Sequence, residues 1–297
     1  MISIVTAYYN RKKLFERTLI SIANQNFEKD LEVIAVDDGS DDDERLEDLQ
    51  VKFPFLKVIR LEKKNKWYHN SCIPFNIGFR AAKGDKIIIQ NPECLHFGNI
   101  LDYTDDHLNE NNYLSFACYS LNKEPTENLE YLLQKPDQIL DIIRKNDHTV
   151  EDDGDAGWYN HSLHRPEAYH FCTAISRNVL LNKLRGFDER FALGIAFDDN
   201  EFVERVKKHL EIDFVDQEII LHQNHYSPSS TSFQNRENKL RLYKLNQFIF
   251  KNKTKYNYNF LLKYTPFKLK KHAIAFLLKF ESGLRKVKSL RLILSSK

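Results

Sequence analysis

Five short polar clusters in this chain carry residue types that can do chemistry. Asp37-Asp38-Gly39-Ser40 closes an apolar run, Leu31-Glu32-Val33-Ile34-Ala35-Val36, with two carboxylates and a glycine. Thr6-Ala7-Tyr8-Tyr9-Asn10-Arg11 ends a run that starts at Ile2, and Asn91-Pro92-Glu93 follows Asp85-Lys86-Ile87-Ile88-Ile89-Gln90. Three strand ends with polar groups can line one crevice, the place where open α/β sheets hold ligands. That arrangement points to a nucleotide site. Thr6 to Tyr9 offer backbone groups and a tyrosine ring to a base, and Asp37 or Asp38 could accept from a pyrimidine imide N–H. Capping of the next helix is the competing use of these acids; it suits Ser40 or Asp41 and leaves Asp37 unexplained. Glu93 could give a carboxylate oxygen to a hard divalent cation, although Asn91-Pro92-Glu93 by itself is also a turn.

The other two clusters lie downstream. Asp198-Asp199-Asn200-Glu201 starts a helical pattern; such acids cap helices, and a carboxylate at a helix start inside a cleft can also serve as a general base. His222-Gln223-Asn224-His225 follows a strand pattern, with two histidines at i and i+3 that could ligate a metal or simply sit on a loop.

The elements needed to position these groups are readable in the first hundred residues. Residues 2–7, 31–36, 56–61 and 86–90 read as buried strands, and 11–25, 41–52 and 72–83 as helices. Strands alternating with helices predict an α/β fold, a mostly parallel central sheet flanked by helices. Further on, 99–110 reads as a helix, 113–120 as a strand, 126–145 as helical with a break near Pro136, and 146–170 as a long polar loop. Helices are expected over 177–184 and 198–209, and two short strands over 212–215 and 218–221.

Composition bounds the remaining possibilities. At 297 residues with 12% aromatics the chain can build a sizeable core. No apolar run approaches the roughly 20 residues that span a bilayer, and no signal peptide is expected from the N-terminal pattern. Cys72, Cys94, Cys118 and Cys172 show no paired metal spacing and read as reduced thiols of a cytoplasmic protein. The net charge of +2 hides an asymmetry: residues 251–297 carry 13 Lys and Arg against one acid, Glu281, and residues 1–250 carry 31 against 41. An acidic body disfavours nucleic acid as a partner. The basic tail has Leu269, Ala273, Phe276, Leu277, Phe280, Leu284, Val287 and Leu294 near one helical stripe, as in an amphipathic helix that lies peripherally on an anionic membrane surface. Packing on the body, or dimerisation, would use the same stripe. No G-x-G-x-x-G follows the first strand, which disfavours a dinucleotide-dependent oxidoreductase.

Together the clusters resemble a family-2 glycosyltransferase of the GT-A fold. The resemblance is carried by the strand–Tyr9-Asn10-Arg11 start, Ser21-Ile22-Ala23-Asn24-Gln25, the run Glu32 to Ser40, Asn76-Ile77-Gly78-Phe79-Arg80-Ala81-Ala82-Lys83-Gly84-Asp85, Gly186-Phe187-Asp188-Glu189 and the acid pair before a helix. It covers about residues 1–225. It implies a Rossmann-like GT-A sheet, a sugar-nucleotide donor (commonly a UDP-sugar), a divalent metal and inversion at the anomeric carbon. Carried onto this chain, it places Asp37 and Asp38 on the base, with Thr6, Ala7, Tyr8, Tyr9, Arg11, Asn76, Arg80 and Asn91 around the nucleotide. Asn91-Pro92-Glu93 occupies the family's Asp-x-Asp slot, so Mn²⁺ or Mg²⁺ would rely on Glu93 with His222 or His225. Asp199, beside Asp198, inherits the general-base role. Trp158, Tyr159 and His161, with His164 and Tyr169, would receive a glycan or lipid-linked acceptor in surface polysaccharide synthesis. The expected organisation is a nucleotide-sugar half over 1–100, an acceptor and base half over 101–235, and a basic helical extension over 236–297. Because Asn91 replaces the first acid of the metal slot, the alternative is a degenerate nucleotide-sugar-binding or scaffold protein.

Overall fold

The computed structural model describes residues 1–225, 236–252 and 258–295, the last twelve of these by backbone alone. Its strands are β1 (Ile2–Tyr8), β2 (Leu31–Asp37), β3 (Leu56–Arg60), β4 (Lys86–Gln90), β5 (Cys94–His96), β6 (Asn112–Ser120), β7 (Gly157–Asn160), β8 (Cys172–Ser176) and β9 (Glu211–His222). They form one sheet in the order β3-β2-β1-β4-β8-β6-β9-β5, with β7 paired to β6. The helices are α1 (Lys12–Ala23), α2 (Leu49–Lys52), α3 (Cys72–Ala81), α4 (Ile100–His107), α5 (Lys123–Glu127), α6 (Leu129–Leu132), α7 (Pro136–Lys145), α8 (Asp198–Val206), α9 (Arg236–Asn252), α10 (Asn259–Leu262) and α11 (Phe267–Ser295).

The first four strands in sheet order are parallel, and their two-residue side-chain period divides the core. Ile4, Val33, Ala35 and Ile88 face α1 and pack with Leu19 and Ile22. Val5, Ile34, Val36, Ile87 and Ile89 face α3 and pack with Phe75 and Phe79. Continuous apolar strands covered on both faces are what a parallel sheet requires. Gly78 shows how closely α3 lies on the sheet, since a Cβ there would meet Val5 Cγ1 at 2.4 Å.

Beyond β4 the sheet becomes mixed. β8 runs antiparallel to both β4 and β6, β6 pairs in parallel with β9, and β5 and β7 pair antiparallel with β9 and β6. The sheet is continuous across residue 100.

Several local expectations are corrected. Residues 41–52 are a 3₁₀ turn, Asp42–Glu44, and the short α2. Glu44 supports the neighbouring helix instead: its Oε2 accepts from Lys12 N at 2.7 Å, capping α1. The two short strands over 212–221 are one strand, because a register shift opposite Phe116 and Ala117 loops out Asp216 to Glu218 without ending the pairing. The polar stretch 146–170 contains β7, and β5 and β8 are additional.

The tail docks through charge as well as apolar contact. Lys270 and Glu281 of α11 are buried against Glu189 (2.5 Å) and Arg190 (2.6 Å). Ala273 and Leu277 of the expected stripe pack on the body, whereas Leu269, Phe276 and Phe280 stay exposed. The stripe thus splits between residues packed on the body and residues facing solvent. The side chains of Leu284, Val287 and Leu294 lie outside the described residues. Among the described residues no helix is long and apolar enough to cross a membrane.

Candidate active site

The strand order 3-2-1-4 reverses direction between β1 and β4, and ligands of open α/β sheets bind at the carboxyl ends of strands at such a switch point. Here the residues after β1 and β4 touch: Arg11 Nη1 donates to Glu93 Oε2 at 2.7 Å. The antiparallel register of β5 with β9 sets Cys94 opposite His222 and so brings the end of β9 to Glu93. His222 Nε2 and His225 Nε2 each lie 3.3 Å from Glu93 Oε1. The ligand atoms of Glu93, His222 and His225 lie within 4.8 Å of one another.

Glu93 and His222 are buried and His225 is nearly so. Burial alone would raise the Glu93 carboxyl; the Arg11 guanidinium and the two imidazoles reverse that and hold it well below the usual carboxylate range. Burial lowers the pKa of His225, and Glu93 opposes the shift. A deprotonated carboxylate and an imidazole biased toward neutrality are the forms that ligate metals, so the donor set fits a divalent ion. Supporting contacts fix it. Gln223 Nε2 donates to Glu93 O (3.1 Å) and Leu14 O (3.0 Å), and the Tyr159 ring packs edge-on against His222 at 5.0 Å.

The acid pair after β2 divides its work. Asp37 is fully buried; its Oδ1 accepts from Ser40 N at 2.8 Å and its Oδ2 lies 3.1 Å from Arg60. Asp37 therefore builds the turn that leads to the 3₁₀ turn at Asp42–Glu44, without capping it. Asp38 is the partner that reaches the crevice. It accepts from Tyr68 OH and from Lys66 Nζ (2.5 Å), and Lys66 also lies over the half-exposed Tyr9 ring at 5.1 Å. Asn10 ties the two loops together through Asp41, with bonds of 2.8 and 2.9 Å. The Tyr8 hydroxyl is not offered to a base, because it donates to Glu44 O at 2.7 Å. Thr6 and Ala7 lie within β1, and Thr6 is buried.

Two segments join this crevice to the second acid pair. The stretch Lys66 to Asn70 holds Asp38 at one end, and at the other Asn70 Nδ2 donates to Asp198 Oδ1 at 2.8 Å. Phe171 O accepts from Asn91 N at 3.1 Å, and in the same segment the Tyr169 hydroxyl accepts from Nδ2 of Asn200, the residue after Asp199, at 2.6 Å. Burial, and then the Asp198 carboxylate, push the Asp199 carboxyl above its ordinary range, with His170 pulling the other way. Ala196 and Phe197, just before α8, both have left-handed backbone. Asn246 of α9 stabilises that turn by donating to Ala196 O at 2.8 Å. Strain held by surrounding contacts is characteristic of functional sites.

Other expected site residues fall elsewhere. Asn76 is buried and bonded to the backbone of Phe187 through both ends of its amide, each at 2.8 Å. It joins α3 to the loop before the acid pair, so both ends of its amide are engaged within the protein. Arg80 is one turn further along α3, 3.7 Å from Glu189, toward the edge of the sheet where β1 and β2 begin. Trp158 is only 4% exposed; its Nε1 donates to Asp147 at 2.7 Å and its ring packs edge-on against Tyr119. Tyr159, 3% exposed, backs the His222 ring. Neither offers a face to a sugar, because alternation along β7 buries one on each side of the sheet. His161 is partly exposed between Trp158 and Asp216. Sequence reasoning missed Lys66, Tyr68, Asn70 and His170. The one available signal was the position of Tyr68-His69-Asn70 just before α3, which is otherwise apolar at its start.

Comparison with known proteins agrees with this geometry. The model for "Glycosyl transferase family 2" matches residues 3–165. Chondroitin synthase of Escherichia coli is 36% identical over 88 residues, 30% of this chain and 12% of that protein. The chain therefore spans a small part of that relative. S. aureus TarS 1–349 in complex with UDP-GlcNAc superposes with a TM-score of 0.55 at 16% identity, over 83% of this chain and 65% of that one. The mannosyltransferase PcManGT from Pyrobaculum calidifontis, in complex with GDP-Man and Mn²⁺, does so with 0.50 at 14% identity, over 98% and 80%. These structural likenesses are of fold, and the α/β architecture is that of GT-A glycosyltransferases. By the family match over more than half its length, the chain belongs to glycosyl transferase family 2.

Proposed function

We propose that the chain transfers a sugar from a nucleoside diphosphate donor, UDP-linked, to a hydroxyl of a glycan or lipid-linked acceptor, with inversion. The observation that carries this reading is the convergence of Glu93, His222 and His225 beside Arg11 at the switch point of the sheet. In this reading Asp38 accepts from the nucleoside, the half-exposed Tyr9 ring stacks on the base, and Lys66 moves between Asp38 and the phosphates. Glu93, His222 and His225 hold the divalent ion, and two imidazole donors favour Mn²⁺ over Mg²⁺. When bound, that ion supplies positive charge to the leaving diphosphate.

Asp199 acts as the general base, and its raised pKa suits that work. The acceptor O–H gives its proton to the Asp199 carboxylate as the oxygen bonds to C1. The C1–O bond to the diphosphate breaks on the opposite face through an oxocarbenium-like state. Asp198, fixed by Asn70, sets the angle of the pair. The exposed Leu269, Phe276 and Phe280 among the lysines of α11 support peripheral attachment to an anionic membrane, where a lipid-linked acceptor of polysaccharide synthesis would reside.

The test is UDP release from a panel of UDP-sugars with Mn²⁺, with and without glycan acceptors, for wild type and Asp199→Asn. Release by wild type, with a variant that binds donor but releases none, supports the reading. Donor binding without release by wild type on any acceptor would replace it with the scaffold reading.

A further inference from the structure

A basic concavity lies away from the crevice at the switch point. A cavity of about 510 Å³ is lined by Arg80, Arg177, Arg185 and Lys263, over an apolar floor of Phe79 and Leu181. Its location follows from the backbone around it. Arg177 Nε donates to Ala82 O at 2.9 Å, and the next residues, Lys83 and Gly84, bond through their N–H groups to Glu32 and Ser3 at the starts of β2 and β1. The cavity therefore opens at the amino edge of the parallel strands, opposite the proposed donor site, and a donor held there cannot occupy it.

Its charge is lopsided. Four cationic side chains share the lining with one carboxylate, Glu189. Glu189 divides its charge between the buried Lys270, at 2.5 Å, and Arg80, at 3.7 Å, so the one carboxylate of the lining is shared between two cations. Guanidinium groups are planar forks that match phosphate oxygens two at a time, and such charge-assisted bonds are the strong ones. The Nε bond to Ala82 O orients the Arg177 fork. Tyr264, which also lines the cavity, is 81% exposed.

We infer that this cavity is a second ligand site, which binds a phosphate-bearing anion through Arg80, Arg177, Arg185 and Lys263. A soluble diphosphate and a phosphomonoester lipid headgroup share this chemistry. The exposed Tyr264 ring would meet the acyl region in the second case.

The probe is inorganic pyrophosphate, titrated into the full chain in EDTA so that no metal assists binding at the donor site. Three variants accompany wild type: Arg185→Glu with Lys263→Glu, both exposed; a matched charge reversal elsewhere, Lys207→Glu with Lys208→Glu; and Lys66→Glu, which would weaken any pyrophosphate held at the donor site. Wild type, the Lys207/Lys208 variant and the Lys66 variant are expected to bind alike, and the Arg185/Lys263 variant about tenfold more weakly or worse, having lost two charge-assisted contacts. Flotation with phosphatidate vesicles, set against phosphatidylcholine, then identifies the source. Capture that the Arg185/Lys263 variant alone loses assigns a lipid headgroup; pyrophosphate binding with no such selective loss of capture assigns a soluble anion. No pyrophosphate binding by wild type, equal binding by the Arg185/Lys263 variant, or loss with Lys66→Glu would overturn the site.

Discussion

Glu93 and Asp199 are both carboxylates drawn away from bulk water, and the protein treats them in opposite ways. Around Glu93 burial is answered by cations, an arginine and two histidines, so the carboxyl is held ionised. Around Asp199 burial is reinforced by another acid, Asp198, so the carboxyl is pushed toward holding a proton. One environment makes a ligand and the other makes a base, and two carboxylates whose pKa values are driven apart are a way to assign roles within one site. The difference comes from neighbours. Glu93 sits where two loops and the end of β9 meet. Asp199 is the second residue of α8, directly after Asp198, which follows the strained turn at Ala196 and Phe197.

The comparison breaks most visibly at Asp199. Asp199→Asn should lower turnover by about 10²- to 10⁴-fold, the usual contribution of a general base, with donor affinity retained. The same variant should raise the melting temperature at pH 7. A raised folded pKa means that Asp199 costs nothing below its unfolded value and becomes destabilising as pH rises through the folded one; the amide removes that penalty. For the same reason the acid limb of the rate profile should lie above the ordinary aspartate range. A melting temperature that falls at pH 7, or an acid limb at the ordinary value, would contradict the roles assigned here.

Glu93 should respond with the opposite sign. Its depressed pKa gives stability that is present above the ordinary carboxylate range and lost as pH falls through the folded value. Glu93→Gln in EDTA should therefore lower stability by about 1.5–3 kcal/mol, the scale of hydrogen bonds to a charged group, read by denaturant melts at pH 7. A stabilising effect would mean that the Arg11 and histidine contacts do not offset burial.

These two corners were unequally legible in the sequence. Strands β1 to β4 were readable because a parallel sheet covered on both faces writes itself as uninterrupted apolar runs, such as Ile87-Ile88-Ile89. Glu93, His222 and His225 could be named as candidates by type, but residues 129 positions apart meet only through the pairing of Cys94 with His222. That three-residue strand is too short to signal itself. β8, Cys-Thr-Ala-Ile-Ser, is buried yet half polar in composition, and β9 hides its unity behind the looped-out Asp216 to Glu218. Asp37 and Asp38 are indistinguishable in sequence; strand alternation and the Ser40 bond decide which one faces inward.

The metal corner offers a finer test. Mn²⁺ should stabilise the fold by mass action, by about 2.7 kcal/mol at one hundred times its dissociation constant, and so raise the melting temperature, and Mg²⁺ less at equal concentration, because two of the three donors are imidazoles. His225→Ala should weaken the Mn²⁺ response about 10- to 100-fold and leave the Asp199 acid limb in place. Equal responses to the two ions would show that oxygen ligands outside this trio dominate.

The smallest effect is expected at Trp158, where the structure displaces a sugar platform in favour of a core residue. Its indole N–H bonds Asp147, which also lies 3.0 Å from His164, and its ring meets Tyr119 at 5.0 Å. Trp158→Phe keeps an aromatic ring against Tyr119 but removes the donor, so it should cost about 1 kcal/mol of stability and leave kcat/KM for transfer near wild type. A sugar-stacking role makes the reverse pattern: unchanged melting and a raised acceptor KM, since exposed platforms contribute binding energy and buried rings contribute packing. Measuring both quantities on one variant separates the two, and it also shows whether the environment of β7 reaches the Glu93 corner. Tyr159, on the other face of the same strand, touches His222. A shift of β7 caused by Trp158→Phe would therefore appear as a weakened Mn²⁺ response, whereas a strand pinned by its pairing with β6 transmits nothing.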